Sequence, residues 1–247
     1  MSIAKTRLRR CIQLIASEWI DEHGLTWLLN APRIRLLPDT NKRQPYPLNW
    51  EEERLIGARP PHLARMSLFA VNSGCRDSEI RNLRWEWEVQ VAELRTSVFI
   101  IPGSMVKNGD ERLVVLNRIA RSVVEEQRGV HASHVFSYRG SPVKRMLNSG
   151  WLRARSEVGL PQVRVHDLKH TFGRRLRAAG VSFEDRQDLL GHRSGRITTH
   201  YSAAELSRLI DAANSVCERA GKRPELVVLR RFRNMGSRKI HADDLCT

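Results

Sequence analysis

The 247 residues carry 42 Lys and Arg against 27 Asp and Glu, a formal net charge of +15, with 41% hydrophobic residues. That apolar content supports a packed core and excludes a disordered tail, while the basic excess points to a polyanion, nucleic acid before an anionic membrane surface. No apolar run approaches the roughly 20 residues of a spanning helix.

The N-terminus, MSIAKTRLRRCIQLIASEW, has neither the long apolar stretch nor the small-residue cleavage site of a secretory signal. It reads as an amphipathic helix over residues 3–20, with Ile3, Ile12, Ile15 and Trp19 at loosely helical spacing. Pro32, Pro38, Pro45 and Pro47 make residues 31–50 an extended linker and place a domain boundary near residue 45. Asn49 before Glu51, Glu52 and Glu53 is a capped helix start, the acids favoured by the helix dipole. Pro60 and Pro61 end that helix and open the next, which carries Leu63, Met66, Phe69 and Ala70 and breaks at Ser73–Gly74. A short helix follows from Asp77 to Leu83. Trp85 to Ile101 reads as strands, and the turn Lys107-Asn108-Gly109-Asp110 before Arg112–Leu116 predicts a hairpin. Beyond residue 117 the pattern is mainly helical. One helix spans His166–Ala179 and stops at Gly180, and Ser182-x-x-Asp185 caps another. A last helix covers about Ala203–Ala220, and the tail 221–247 is densely basic. The sum is a mostly helical α+β domain with one small antiparallel sheet. Cys11, Cys75, Cys217 and Cys246 form no C-x-x-C pair, which favours reduced thiols over disulfides or a zinc site.

Cutting a DNA strand without metal needs a nucleophile for the phosphorus. It also needs cations and donors for the charge that gathers on the non-bridging oxygens, and a proton for the leaving oxygen. The sequence offers such a set. S-G-C-R-D-S-E-I puts Arg76 at a loop-to-helix junction, with Glu79 one turn on to brace it. Lys107 sits on the hairpin. H-D-L-K-H-T-F-G puts His166 and Lys169 on one helical face, L-G-H-R-S carries His192, and T-T-H-Y-S carries Tyr201 nine positions beyond it. Each residue alone has a plainer reading. Arg76 and Lys107 fit solvated surface charges, His192 a capping or core histidine, and Tyr201 an amphipathic core residue. His166 and His170 are spaced like a zinc pair but have no H-E-x-x-H and no evident third ligand. The tryptophans read as packing.

Together, the order of these residues resembles the tyrosine recombinase (phage integrase) family. Its members carry an Arg in T/S-G-x-R-x-x-E, a Lys on a β-turn, H-x-x-R, an L-G-H segment and a Tyr nine residues further on. The likeness covers residues 50–220. It implies a site-specific recombinase in which Tyr201 attacks and becomes joined to a 3′-phosphate. Arg76 and His166 would bind the scissile phosphate, Lys107 would protonate the 5′-oxygen, and His192 would hydrogen-bond a phosphate oxygen. The implied partners are double-stranded DNA and further protomers in a tetramer on that DNA, with no membrane, small-molecule substrate, metal or other cofactor. The implied location is the cytoplasm, for a bacterial or phage-encoded protein acting on DNA.

Two departures stand out. The second arginine of H-x-x-R is Lys169, which keeps the charge but loses the planar fork. The helical core-binding domain that usually precedes the catalytic domain is reduced to one helix and a linker. The resulting organisation is a core-binding remnant with linker over 1–45, a catalytic domain over 46–220 and a basic tail over 221–247. The alternatives are a catalytically impaired DNA-binding remnant, a type IB topoisomerase, against which the short hairpin and the His192–Tyr201 spacing speak, and a basic RNA-associated protein. The apolar stripe Leu206, Leu209, Ile210, Ala213 and Val216 suits packing on its own domain or, as the resemblance implies, docking on a neighbouring protomer.

Overall fold

The computed structural model describes residues 2–26, 28, 45, 48, 51–107, 109–192 and 201–218. The Asn49 cap, most of the 31–50 linker and the basic tail lie outside them. The chain divides into two compact units, 1–45 and 46–247.

The first unit holds helix α1 (Ser2–Ser17). After it, Ile20 and Thr26 form an antiparallel bridge. The Asp21 carboxylate closes the intervening turn by accepting the backbone N–H of His23 and of Leu25, each at 2.9 Å. Trp19, Ile20 and Leu25 are exposed.

The second unit begins with α2 (Glu51–Gly57) and α3 (Pro61–Ser73). Proline at the first turn of α3 costs nothing, because that N–H has no helical partner. Leu63, Met66, Phe69 and Ala70 recur three and four apart and are all buried, so α3 becomes a central helix packed against two later ones. The short α4 (Asp77–Arg81) follows. Strands β1 (Glu88–Val91), β2 (Thr96–Ile101) and β3 (Arg112–Val115) form one antiparallel sheet in the order β1-β2-β3. Facing pairs include Val91 with Thr96, Phe99 with Val114, and Ile101 with Arg112. Helices α5 (Arg118–Glu125), α6 (Ser149–Glu157), α7 (Val165–Ala178), α8 (Phe183–Leu190) and α9 (Ala203–Glu218) complete the unit. Side-chain oxygens of Asn117, Asn148 and Ser182 cap α5, α6 and α8. Within the span read as strands, Trp85–Trp87 and Ala92–Leu94 are instead short 3-10 turns, and a two-stranded ribbon of β4 (Ser137–Tyr138) and β5 (Ser141–Pro142) has no counterpart in the sequence reading. Runs of two residues carry no usable periodicity.

The sheet separates two cores. Alternation along a strand sends Phe99, Ile101 and Val114 to a larger core with Phe69, Ile80, Phe136, Met146, Trp151 and Leu168. It sends Val98, Leu113 and Val115 to a smaller one with Phe172, Leu176, Leu189, Leu209, Ala213 and Val216. Helix α9 therefore packs in cis in this structure: Leu209, Ala213 and Val216 are buried against the chain's own α7, α8 and β3. Of the two readings the stripe allowed, packing on its own domain is the arrangement in the isolated chain.

Candidate active site

The site is built where three chain segments meet. The first is the corner between α3 and α4. Gly74 ends α3 in the left-handed region at φ 64°, and a Cβ there would lie 2.7 Å from the Phe172 ring. Glycine thus permits both the turn and the close approach of α7. Two residues on, Arg76 stands at the N-cap of α4 in an extended conformation. Its backbone N–H donates to Glu79 Oε2 at 2.8 Å, and its Nη1 donates to Glu79 Oε1 at 2.6 Å. Both halves of the carboxylate therefore orient the arginine. The Glu79 side chain is 1% exposed and that of Arg76 is 18% exposed, so the arginine is held from within and reaches outward.

The second segment is β3. Arg112 is buried, and its Nε lies 3.2 Å from Glu79 Oε2, an ion pair whose angle falls short of a hydrogen bond. Its Nη2 donates to the carbonyls of Gly74 and Leu189, each at 3.3 Å. The third segment is α7 with the end of α8. Lys169 is buried on α7 and its Nζ donates to the Leu190 carbonyl. Gly191 then turns the chain at φ 57°, and the His192 N–H donates to the Gln187 carbonyl at 3.0 Å. The His192 side chain is exposed. His166, in the first turn of α7, is also exposed, and its ring meets that of His170 edge-on at 4.6 Å. Among the described residues no three His, Cys, Asp or Glu side chains gather as a metal would require.

Electrostatics tie these groups together. Burial pushes the Glu79 carboxyl upward, but Arg112, Arg76 and Lys169 outweigh that and hold it below the usual range. Lys169 moves from 10.5 to about 7, first through burial and then through the repulsion of Arg112 and Arg76, with Glu79 opposing. The His166 imidazole is lowered by burial and by His170, Lys169 and Arg76. That of His192 is lowered by burial and by Lys169, Arg76 and Arg112. Both shifts favour the neutral ring, which can donate one hydrogen bond. The inference that lysine simply keeps the arginine's charge at position 169 needs correction: near neutral pH a large fraction of Lys169 is uncharged.

The structure thus gathers Arg76, Glu79, His166, Lys169 and His192. Lys107 stands apart, exposed on the β2–β3 loop. Tyr201 is half-buried against the smaller core just before α9, and residues 193–200 lie outside the described residues. Sequence reasoning missed Arg112. The available signal was a cation inside the apolar strand R-L-V-V-L, where burial of an arginine demands a partner.

The profile described as Phage integrase family matches residues 51–208. The chain belongs to the phage integrase family. Among the relatives of this family member, an integrase of Salmonella phage P22 is 30% identical over 199 residues, covering 75% of this chain and 50% of that protein. The tyrosine recombinase XerC of Mesorhizobium japonicum is 25% identical over 221 residues, covering 82% and 69%. Of the solved structures, a lambda integrase (75–356) dimer bound to a COC′ core site superposes with a TM-score of 0.55 at 19% identity, covering 79% of this chain and 73% of that one. The integrase of mycobacterium phage Brujita gives 0.54 at 20%, covering 85% and 69%. These likenesses establish the fold as the α+β fold of tyrosine recombinase catalytic domains. The chain's match spans half the length of the P22 integrase.

Proposed function

We propose that this chain carries the catalytic domain of a site-specific DNA recombinase that cleaves and rejoins strands through a 3′-phosphotyrosyl intermediate. The observation that carries the reading is the charge balance of the cluster. Among the described residues, the permanently charged Arg76 and Arg112 and the partly protonated Lys169 face a single carboxylate, Glu79. A surplus of inward-held cations favours an anion, and a tetrahedral phosphodiester matches the fan of donors from Arg76, His166 and His192.

In the proposed step the Tyr201 hydroxyl gives its proton to solvent water and its oxygen attacks phosphorus. The bond from phosphorus to the 5′-oxygen breaks as the bond to tyrosine forms. Lys107, exposed on its hairpin, delivers a proton to the leaving 5′-oxygen. Arg76 and His166 hold the non-bridging oxygens, Lys169 adds charge from beneath when protonated, and His192 donates to the same oxygens. The phosphodiester's free energy is retained in the tyrosyl linkage, so a 5′-hydroxyl can reverse the step without a nucleotide. The substrate is double-stranded DNA in the bacterial cytoplasm, and further protomers assemble on it as a tetramer.

The test is covalent capture. The chain is incubated with nicked duplexes of randomised sequence, denatured in detergent, and the attached DNA is sequenced. A tyrosyl adduct present in the wild type and absent in Tyr201→Phe is expected. An adduct that persists in Tyr201→Phe refutes the nucleophile. DNA retained without any adduct in the wild type supports the impaired-remnant reading instead.

A further inference from the structure

Arg112 ties together two of the backbone segments from which the cluster is assembled, the α3–α4 corner and the end of α8. Its Nη2 reaches the Gly74 carbonyl, at the corner leading into Arg76, and the Leu189 carbonyl, at the end of α8 leading into His192. Its Nε lies against Glu79, whose carboxylate takes two bonds from Arg76. The next carbonyl, Leu190, is the acceptor for Lys169. A Cβ on Gly191 would land on Arg112 Nη1, so the absent side chain there leaves room for the guanidinium. The anchor beneath is firm, because Arg112 pairs with Ile101 across the sheet.

We propose that Arg112 is a positioning residue: its guanidinium sets the α3–α4 corner bearing Arg76 and the α8 end bearing His192 at the spacing a phosphate requires. The proposal rests on reading the cluster as a phosphate site. A stabilising role alone accounts poorly for the contacts. Among the described residues Nη1 has no hydrogen-bond partner, and a buried ion pair is often matched in stability by apolar packing. What an apolar residue does not supply is a rigid fork that meets a carboxylate and two carbonyls from different segments. Strand β3 brings the fork to the ends of α3 and α8.

Inorganic sulfate, whose charge is constant over the working pH range, is the probe. It is titrated into the full chain while the Arg76 Nε–H and His192 ring resonances are followed by NMR. Arg112→Met is expected to melt cooperatively, to bind sulfate at least about tenfold more weakly, and to lose the concerted shift of the two resonances. Arg112→Lys keeps the charge but spans fewer acceptors, and is expected to recover only part of the affinity. The double variant with Glu79→Gln should lose less than the two single losses combined, because Arg112 acts on Arg76 through Glu79. A folded Arg112→Met with affinity within twofold of wild type overturns the proposal. Should that variant not fold, Arg112→Lys decides, and full wild-type affinity there shows that charge alone suffices. Absence of any sulfate response at Arg76 and His192 in the wild type removes the phosphate site itself, and this proposal with it. None of these readouts depends on Tyr201 or strand cleavage, so failure of the recombinase reading is seen separately by covalent capture.

Discussion

Replacing Lys169 with arginine separates two effects, fork geometry and charge. Lys169 has a pKa of about 7 in the fold, so it is charged below that pH and neutral above it. At pH 8 about one lysine in ten carries a proton, and charging the rest to meet a phosphate costs about 1.4 kcal/mol for each pH unit above 7. Arginine stays charged throughout. The ratio of adduct-forming rates, arginine variant over wild type, should be nearly constant below about pH 6.5. It should then climb by up to about tenfold per pH unit above 7, levelling off where the phosphate-bound lysine itself deprotonates. Titrations that position 169 does not influence cancel in the ratio, whereas those of His166 and His192, which Lys169 lowers, are followed separately by NMR. The pH-independent part of the ratio reports the gained fork, at most about a hundred- to a thousandfold, less any penalty for fitting a larger side chain, about 1–3 kcal/mol. Rates are read from covalent capture on denaturing gels between pH 6 and 9. A ratio that is flat across this range refutes the assignment of Lys169 as a titrating phosphate contact.

The same lysine shapes stability, and the sign follows from its lowered pKa. Between about 7 and 10.5 the unfolded chain binds the proton that the folded chain releases, so stability rises with pH across that window, by at most on the order of 5 kcal/mol. Lys169→Met should flatten this rise in denaturant titrations at pH 6 and 9. Arg76→Ala removes the side-chain hydrogen bond to Glu79 and keeps the backbone one; it should cost about 1–3 kcal/mol, more than an exposed charge, while abolishing the adduct, and loss of the adduct at unchanged stability would show the Glu79 pairing to be inert. Leu209→Ala empties a buried site in the smaller core and should cost about 2–5 kcal/mol in chemical denaturation, and a near-zero cost would place α9 on a neighbour in solution. Binding to short duplexes should weaken by about a thousandfold or more from 50 to 200 mM salt if six or more phosphates are neutralised, and a flat response would assign the +15 charge to another partner.

Most of the architecture was legible because it is local. The α3 stripe, Gly74, Gly180 and the Ser182 cap act within a few residues of themselves, and each produced its element at nearly the expected bounds. The β2–β3 hairpin was announced by Asn108-Gly109 between apolar runs. The β4–β5 ribbon was not, since four paired residues have no period to read. In the cluster, the Arg76–Glu79 contact was foreseeable from spacing alone, being one helical turn.

The order and chemical types of Arg76, Lys107, His166, Lys169, His192 and Tyr201 lie in the sequence, because they are fixed by position along the chain. Along with the charge excess, they were enough to resemble the phage integrase family before any fold was known. What the tertiary structure alone decided is the environment of those groups. Lys169 is drawn down to about 7 by burial and by Arg112 and Arg76, groups far from it in sequence. The strut at Arg112 exists only because β3 runs beneath Gly74 and Leu189. Helix α9 lies in cis because its stripe meets Phe172, Leu176 and Leu189, an outcome that periodicity leaves open. Hydrophobic patterning says that a face will be covered; only long-range packing says by what, and desolvation, which sets charge, depends on that answer.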